Sequence, residues 1–364
     1  MAPASETKAN NEVDTQNIAS NGKEVLPLNL EQEEEANYAF GVQIANSCAL
    51  PMVLNAIIEM GALQAIYDQA GSEGLLPSEI SAQVKARNPE APVMIDRMLR
   101  LLSTFSIVGC TTLTTADGGV ERRYKPTSMT KVYVPDEDGV SLAPNLQLFI
   151  DKVFLESWSK LKDAVLEGGV PFNMVHGMHA FEYPNVDPRF NDVFNKAMAQ
   201  SLMYVKKIFN KYKGLENSNV KLLVDVGGGL GHSVGFITSQ YPSIKGINFD
   251  LPHVIKDAPP TPNVEHWILH DWSDERCLTL LKNCYKALPE DGKIIVVEAI
   301  VNDEPETTTF ARAISQVDLL MMTQNPGGKE RSKREFEALA KGSGFSGINF
   351  TCCVQGFWVM EFYK

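Results

Sequence analysis

The sequence predicts an α/β protein in two parts: an α-helical, winged-helix-like region, then a Rossmann-like region built on a parallel sheet. Three observations carry this. Residues 78–124 run as helix, turn, helix and hairpin, and from about Leu222 apolar runs alternate with helical stretches. One such run, Leu222 to Val226, enters the glycine-rich turn Gly227-Gly228-Gly229-Leu230-Gly231 where a helix begins. At 364 residues the chain is long enough for two domains.

Residues 1–35 are polar and acidic and read as a disordered tail. From Ala36 a helical spacing places Phe40, Ile44 and Cys48 on one face, and beyond Pro51 it continues through Leu54 and Ile58. Ser78 is expected to cap a short helix with Glu79 in its first turn. Ala91-Pro92 opens a second helix carrying Met94, Met98, Leu99 and Leu102. Ile107 to Thr112 alternates into Asp117-Gly118, a hairpin signal, and the chain returns at Val120 to Tyr124. A linker at Pro135-Asp136-Glu137-Asp138-Gly139 leads to expected domains at 36–145 and 146–364. Strand candidates are Leu222 to Val226, Gly246 to Asp250, a stub ending at Leu269, Lys293 to Ile300, and runs near Ile348 to Val354 and Trp358 to Phe362. A ligand is expected at the carboxyl ends of the parallel strands.

Thirty-three Lys and Arg against 45 Asp and Glu leave a net charge of −12, which disfavours nucleic acid and anionic membranes. The winged-helix outline, with Arg97, Arg100, Arg122 and Arg123 placed to face a groove, still admits a DNA-binding reading, against which the charge counts. No apolar run approaches the roughly 20 residues of a membrane span, and the N-terminus has no leader pattern, so a cytoplasmic protein is expected. Six cysteines without CxxC or finger spacing suggest neither disulfides nor zinc, and buried free thiols are expected.

The glycine turn gains weight from Asp250, which closes the next apolar run 23 residues after Gly227, the place of a ribose-binding acid. NAD and S-adenosylmethionine both suit such a unit. Asp225, before the first glycine, would repel a phosphate and attract the ammonium of a methionine moiety, which favours the second. In Trp267-Ile268-Leu269-His270-Asp271-Trp272-Ser273-Asp274-Glu275, His270 stands where an apolar run ends and a capped helix begins, placed to accept a hydroxyl proton. Glu298 and Glu330 end later elements, and orienting an imidazole would give each a partner. His232, His253 and His266 are isolated, and Asp271 and Asp274 read as helix-terminus residues. Phe172, Met174, His176, Met178, His179, Phe181 and Tyr183, with Phe190, Phe194, Met198, Met321 and Met322, serve equally as core or as the wall of a flat aromatic acceptor.

On these residues, from about Glu33 to Lys364, the chain resembles plant S-adenosylmethionine-dependent O-methyltransferases of the caffeic acid O-methyltransferase type. The resemblance rests on Asn88-Pro89-Glu90-Ala91-Pro92-Val93-Met94, Val224-Asp225-Val226-Gly227-Gly228-Gly229, Asn248-Phe249-Asp250-Leu251-Pro252-His253, His270-Asp271-Trp272-Ser273-Asp274 and Asn325-Pro326-Gly327-Gly328-Lys329-Glu330-Arg331. It implies a class I methyltransferase domain and a winged-helix portion that makes a homodimer rather than binding DNA. It further implies S-adenosylmethionine held by Gly227, Asp250 and Asp225, no metal, and His270 as base with Glu298 and Glu330. A small aromatic acceptor of phenylpropanoid or flavonoid type would lie against Phe149, Ala180, Phe190, Phe194, Met198, Met321 and Asn325.

Two departures accompany the resemblance. Asn263-Val264-Glu265-His266 runs straight into Trp267, where relatives carry a further strand, an adenine-gripping Gly-Asp-Met-Phe and a crossover; roughly twenty residues are absent, about one crossover. Phe149-Ile150-Asp151-Lys152 and Pro184 replace two polar acceptor contacts, which favours a more apolar phenol. The alternatives are a catalytically impaired dimer subunit and N-methylation of an arylamine.

Overall fold

The computed structural model describes residues 30–137, 139–216, 218–228, 231–249 and 269–364. The chain divides into two compact units, the first ending at Ala49 and the second running from Leu50 to Lys364. In the first, helix α1 (Leu30–Ala45) has Glu31 and Glu33 in its first turn, where they complement the helix dipole. Leu30 to Glu35 are therefore helical rather than part of the tail.

In the second unit, α2 (Ala49–Glu59), α3 (Ala62–Gln69), α4 (Pro77–Gln83) and α5 (Ala91–Thr104) precede an antiparallel hairpin of β1 (Val108–Thr114) and β2 (Val120–Pro126). Ile95, Leu99 and Leu102, spaced by four and three residues on α5, pack with Ile57, Ile66 and Ile80 into one core. Tyr124, fully buried, donates its hydroxyl to Asp96 Oδ1 at 2.7 Å, and Arg122 pairs with the same carboxylate at 2.8 Å. This is the expected winged-helix outline. One cap differs: Pro77 takes the first helical position, so Leu76 is the N-cap residue, its N–H donating to Glu79 Oε2 at 2.7 Å, and Ser78 lies inside the helix.

A run of helices follows: α6 (Thr130–Tyr133), α7 (Ala143–Phe149), α8 (Lys152–Trp158), α9 (Leu161–Glu167), α10 (Pro171–His176), α11 (Pro188–Ala199) and α12 (Ser201–Lys211). Phe154, Phe172 and Phe190 are the centre of a second core there. The α/β part comprises β3 (Leu222–Val226), α13 (His232–Gln240), β4 (Lys245–Phe249), α14 (Asp274–Ala287), β5 (Lys293–Ala299), α15 (Thr309–Gln324), α16 (Lys333–Ser343), β6 (Gly347–Val354) and β7 (Phe357–Tyr363).

The described strand candidates stand within a few residues of their expected bounds, with one difference. β3 and β4 pair in parallel, whereas β5, β7 and β6 form an antiparallel sheet in that order. The two-residue link Gln355-Gly356, both at positive φ, is a tight hairpin turn that permits only antiparallel pairing. Leu269 belongs to a 3-10 turn, Leu269–Asp271, while the stub expected before it lies outside the described residues, as do Asp250, His253 and His266. Nor are the thiols uniformly buried: Cys277 is, but Cys48, in the turn after α1, and Cys110, where β1 runs out past Val108, are exposed. Among the described residues no single helix is long and apolar enough to cross a membrane.

Candidate active site

His270, Glu298 and Glu330 converge. The imidazole Nδ1 lies 3.1 Å from Glu330 Oε1 and 3.3 Å from Glu298 Oε2, and the His270 backbone N–H donates to Glu298 Oε1 at 3.3 Å. Strand periodicity explains Glu298: it shares the face of Val296 and Ile300, which pack against Leu269. Glu330 arrives beside it because Ile300 and Arg331 form a parallel bridge, with the Val301 N–H donating to the Arg331 carbonyl at 3.1 Å.

The turn Asn325 to Glu330 presses on the His270 backbone. Lys329 N–H donates to the His270 carbonyl at 2.9 Å, and a Cβ on Gly328 would stand 3.1 Å from that oxygen and 2.8 Å from Asn325 Cβ. Arg331, 1% exposed, donates to the carbonyls of Leu269 (2.8 Å) and Trp272 (2.7 Å) and to Asp274 Oδ1 (2.9 Å). One guanidinium thus ties both sides of the His270 turn to α14. Asp274 is in the first turn of α14 and Asp271 ends the 3-10 turn Leu269–Asp271, as expected, but Asp271 also has a partner far along the chain. It is buried, accepts from Asn325 Nδ2 at 2.8 Å, and faces His270 Nε2 at 3.8 Å.

Burial alone would push the imidazole toward its neutral form, but Glu298, Glu330 and Asp271 outweigh it and hold the His270 pKa up at about 10. Burial likewise pushes Glu298 well above the ordinary carboxylate range, against the pull of the imidazolium. The group therefore shares a proton, with Nδ1 bonded to carboxylate oxygens and Nε2 left for a substrate. His270, Glu298 and Glu330 also carry metal-ligand atoms within 4.8 Å of one another. The 3.1 Å separation from Nδ1 to Glu330 Oε1 is a hydrogen-bond distance, and Glu298 Oε2 at 3.3 Å makes an ion pair with the same nitrogen.

Beside this cluster runs an aromatic wall. His179 stacks on Trp272 (5.8 Å between centroids, 14°) and on Phe181, which meets Phe194 edge-on, and Phe194 packs against Phe190. Ala180, Phe190, Phe194 and Met321 share one apolar cluster, and Asn325 joins Asp271. Phe149 and Met198, expected with them, are 38% and 42% exposed and stand outside the cluster. Sequence reasoning gave His179 no separate weight. Its Nδ1 accepts from the Phe181 N–H at 3.2 Å, which assigns the proton to Nε2, and that buried nitrogen has no hydrogen-bond partner among the described residues. Burial lowers its pKa, keeping the ring neutral.

The described part of the glycine turn requires glycine. Gly227 and Gly231 take positive φ, and a Cβ on Gly228 would collide with Asn248 and stand 2.7 Å from Asp225 Oδ2. Asp225 is bonded by the Val234 backbone, its pKa is raised by burial, and its Oδ2 is buried with no hydrogen-bond partner among the described residues. A buried, unpaired carboxylate oxygen fits the ammonium of the donor. His232, at the start of α13, is exposed, as an isolated surface histidine would be.

The O-methyltransferase domain family matches residues 158–266 and 263–346, in two pieces, and the O-methyltransferase dimerisation domain family matches residues 42–136. The chain is 62% identical over 353 residues to O-methyltransferase 16 of Lophophora williamsii, covering 91% of this chain and 94% of the relative. It is 50% identical over 355 residues to a caffeic acid 3-O-methyltransferase of Capsicum annuum, covering 92% and 98%. Human N-acetylserotonin methyltransferase, solved with S-adenosylmethionine, shares the fold at 20% identity, with a TM-score of 0.71 over 90% of this chain and 97% of that one. With a dimerisation region followed by a methyltransferase region, the chain belongs to the plant S-adenosylmethionine-dependent O-methyltransferases of the caffeic acid O-methyltransferase type.

Proposed function

We propose that the chain methylates a phenolic hydroxyl of a small aromatic plant metabolite of phenylpropanoid or flavonoid type, with His270 as general base. The carrying observation is the pair of buried carboxylates on His270 Nδ1, which leaves Nε2 as the group that takes the hydroxyl proton. Glu298 and Glu330 position the ring and stabilise the imidazolium. Ala180, Phe190, Phe194, Met321 and the Trp272–His179 stack hold the flat ring, and the Nε2–H of His179 donates to a ring oxygen. Asp225 and Gly227, with Asp250, hold the donor, which supplies an electrophilic methyl on sulfonium. Residues 36–145 serve as the dimerising part of a homodimer and 146–364 as the catalytic part.

Replacing His270 by Asn tests this. The expected loss in kcat is about 10² to 10⁴, with the donor still bound. Near-full activity of that variant overturns the assignment.

A second reading, a catalytically impaired subunit of a dimer, is favoured by the break in the family match at 263–266. It predicts a chain that pairs but transfers no methyl group even with the His270 cluster intact.

A further inference from the structure

Three of the arginines that the sequence placed at a groove do come together, but around a hollow. Arg97 and Arg100 on α5 and Arg122 on β2, with Leu101, Thr104 and Cys110, line a concavity of about 480 Å³. Arg97, Arg100 and Thr104 share one helix face by their spacing of three and four. Arg122 is bound to Asp96 at 2.8 Å, but among the described residues neither Arg97 nor Arg100 has an ion-pair or side-chain hydrogen-bond partner. The fourth, Arg123, is spent elsewhere, on Glu121 at 3.2 Å and the Gly74 carbonyl at 3.2 Å.

Unpaired guanidinium groups three residues apart repel each other, and the hollow carries an excess of two positive charges in a chain of net charge −12. A ligand that relieves this is an anion. The hydroxyls of Ser103 and Thr104 already donate to the carbonyls of Arg100 (2.8 Å) and Leu101 (2.7 Å), so the N–H donors left for the ligand are guanidinium forks. Such forks match phosphate oxygens two at a time, and a phosphate monoester at about −1.5 to −2 balances the charge. Duplex DNA fits less well, because Asp117 and Glu121 put negative charge on the same hairpin and the positive charge is confined to one hollow.

We propose that this hollow binds a phosphate monoester, at a site distinct from the methyl-transfer cluster, with Leu101 and Cys110 against the ester's organic group. The test is calorimetric titration of the full chain with phenyl phosphate, inorganic phosphate and, as a monoanion control, benzoate. Phenyl phosphate is expected to bind with a dissociation constant of about 1 mM or below and to weaken as salt rises. It should slow iodoacetamide labelling of Cys110 but not of Cys48. Arg97→Ala with Arg100→Ala should weaken it at least tenfold, with circular dichroism unchanged. Equal binding of inorganic phosphate identifies free phosphate as the ligand, and tighter phenyl phosphate identifies an organic ester; both support the site. No binding of either up to about 10 mM, or equal affinity in the double variant, overturns it. So does tighter, Arg97- and Arg100-dependent binding of a short DNA duplex.

Discussion

Glu298→Gln removes one negative charge 3.3 Å from His270 Nδ1 and leaves the strand otherwise unchanged. At an effective dielectric constant of about 20, a charge at that distance is worth about 5 kcal/mol, an upper bound because Glu330 and Asp271 remain. Observed effects of a single close charge are about 1 to 3 pKa units. The sign follows from the proton. His270 accepts one only when neutral, and with its pKa held up at about 10 the free enzyme is mostly imidazolium at neutral pH. The rate therefore climbs as pH rises toward 10. Without Glu298 the imidazolium is less stable, so the rising limb of kcat/KM against pH moves to lower pH by about 1 to 3 units, and the plateau falls because the base is weaker. Initial rates with a catechol acceptor, from mildly acid to strongly alkaline pH, measure this. A limb that stays in place, or moves to higher pH, refutes the view that the two carboxylates raise the basicity of His270.

Three further outcomes are expected. Asp225→Asn should weaken donor binding at least tenfold, about 1.4 kcal/mol. Burial raises the Asp225 pKa, so its folded carboxylate costs stability once pH rises above the ordinary carboxylate range; the Asn variant should match or exceed the parent in urea at neutral pH, and a large stability loss rejects the donor-site role. Arg331→Met, which leaves the Leu269 and Trp272 carbonyls without their donor while Asp274 keeps Lys329, should lower unfolding stability by about 1 to 3 kcal/mol for each carbonyl; a fall below about 1 kcal/mol in all would show that the guanidinium does not hold the His270 turn. Restoring a full crossover between Val264 and Trp267 should tighten donor binding at least roughly tenfold in calorimetry, and equal affinities would reject the loss of an adenine pocket.

Elements were legible where periodicity was local. Leu99 and Leu102 of α5 are buried as their spacing predicts, but Met94, read with them, is 53% exposed and Ile95 takes its place in the core. His270 and Glu298 were legible because each is a polar residue at the end of an apolar run, and Glu330 because it lies in the Asn325–Arg331 motif. Arg331 was not: its three partners lie about sixty residues earlier, and nothing in its own neighbourhood separates a buried arginine from a surface one. The bond of Asp271 was not legible for the same reason, since its partner Asn325 is 54 residues away. The orphan donor of His179 is visible only once the Phe181 N–H is seen to occupy the other ring nitrogen.

Among the described strands, the donor-side pair β3–β4 and the sheet β5, β7, β6 are not hydrogen-bonded to each other. Nineteen residues separate Phe249 from Leu269, room by chain length for one crossover but not for a crossover with two further strands. β3 pairs only with β4 among the described strands, and its Leu222 and Val224 are 51% and 42% exposed, where a strand inside a doubly wound sheet would be covered. The 353 aligned positions with the Lophophora williamsii relative exceed the 91% of this chain that they cover, so that relative carries residues in the span that this chain lacks. These observations support a shortened crossover on the donor side. The proton-sharing cluster is assembled from Leu269 onward: Glu298 on β5, the Asn325–Glu330 turn against the His270 backbone, and Arg331 across the turn. None of its bonds needs a strand ahead of His270. A deficit caused by the shortened segment must therefore appear as weakened donor binding with the pH limb of His270 in place, whereas damage to the cluster would move the limb and leave donor affinity alone.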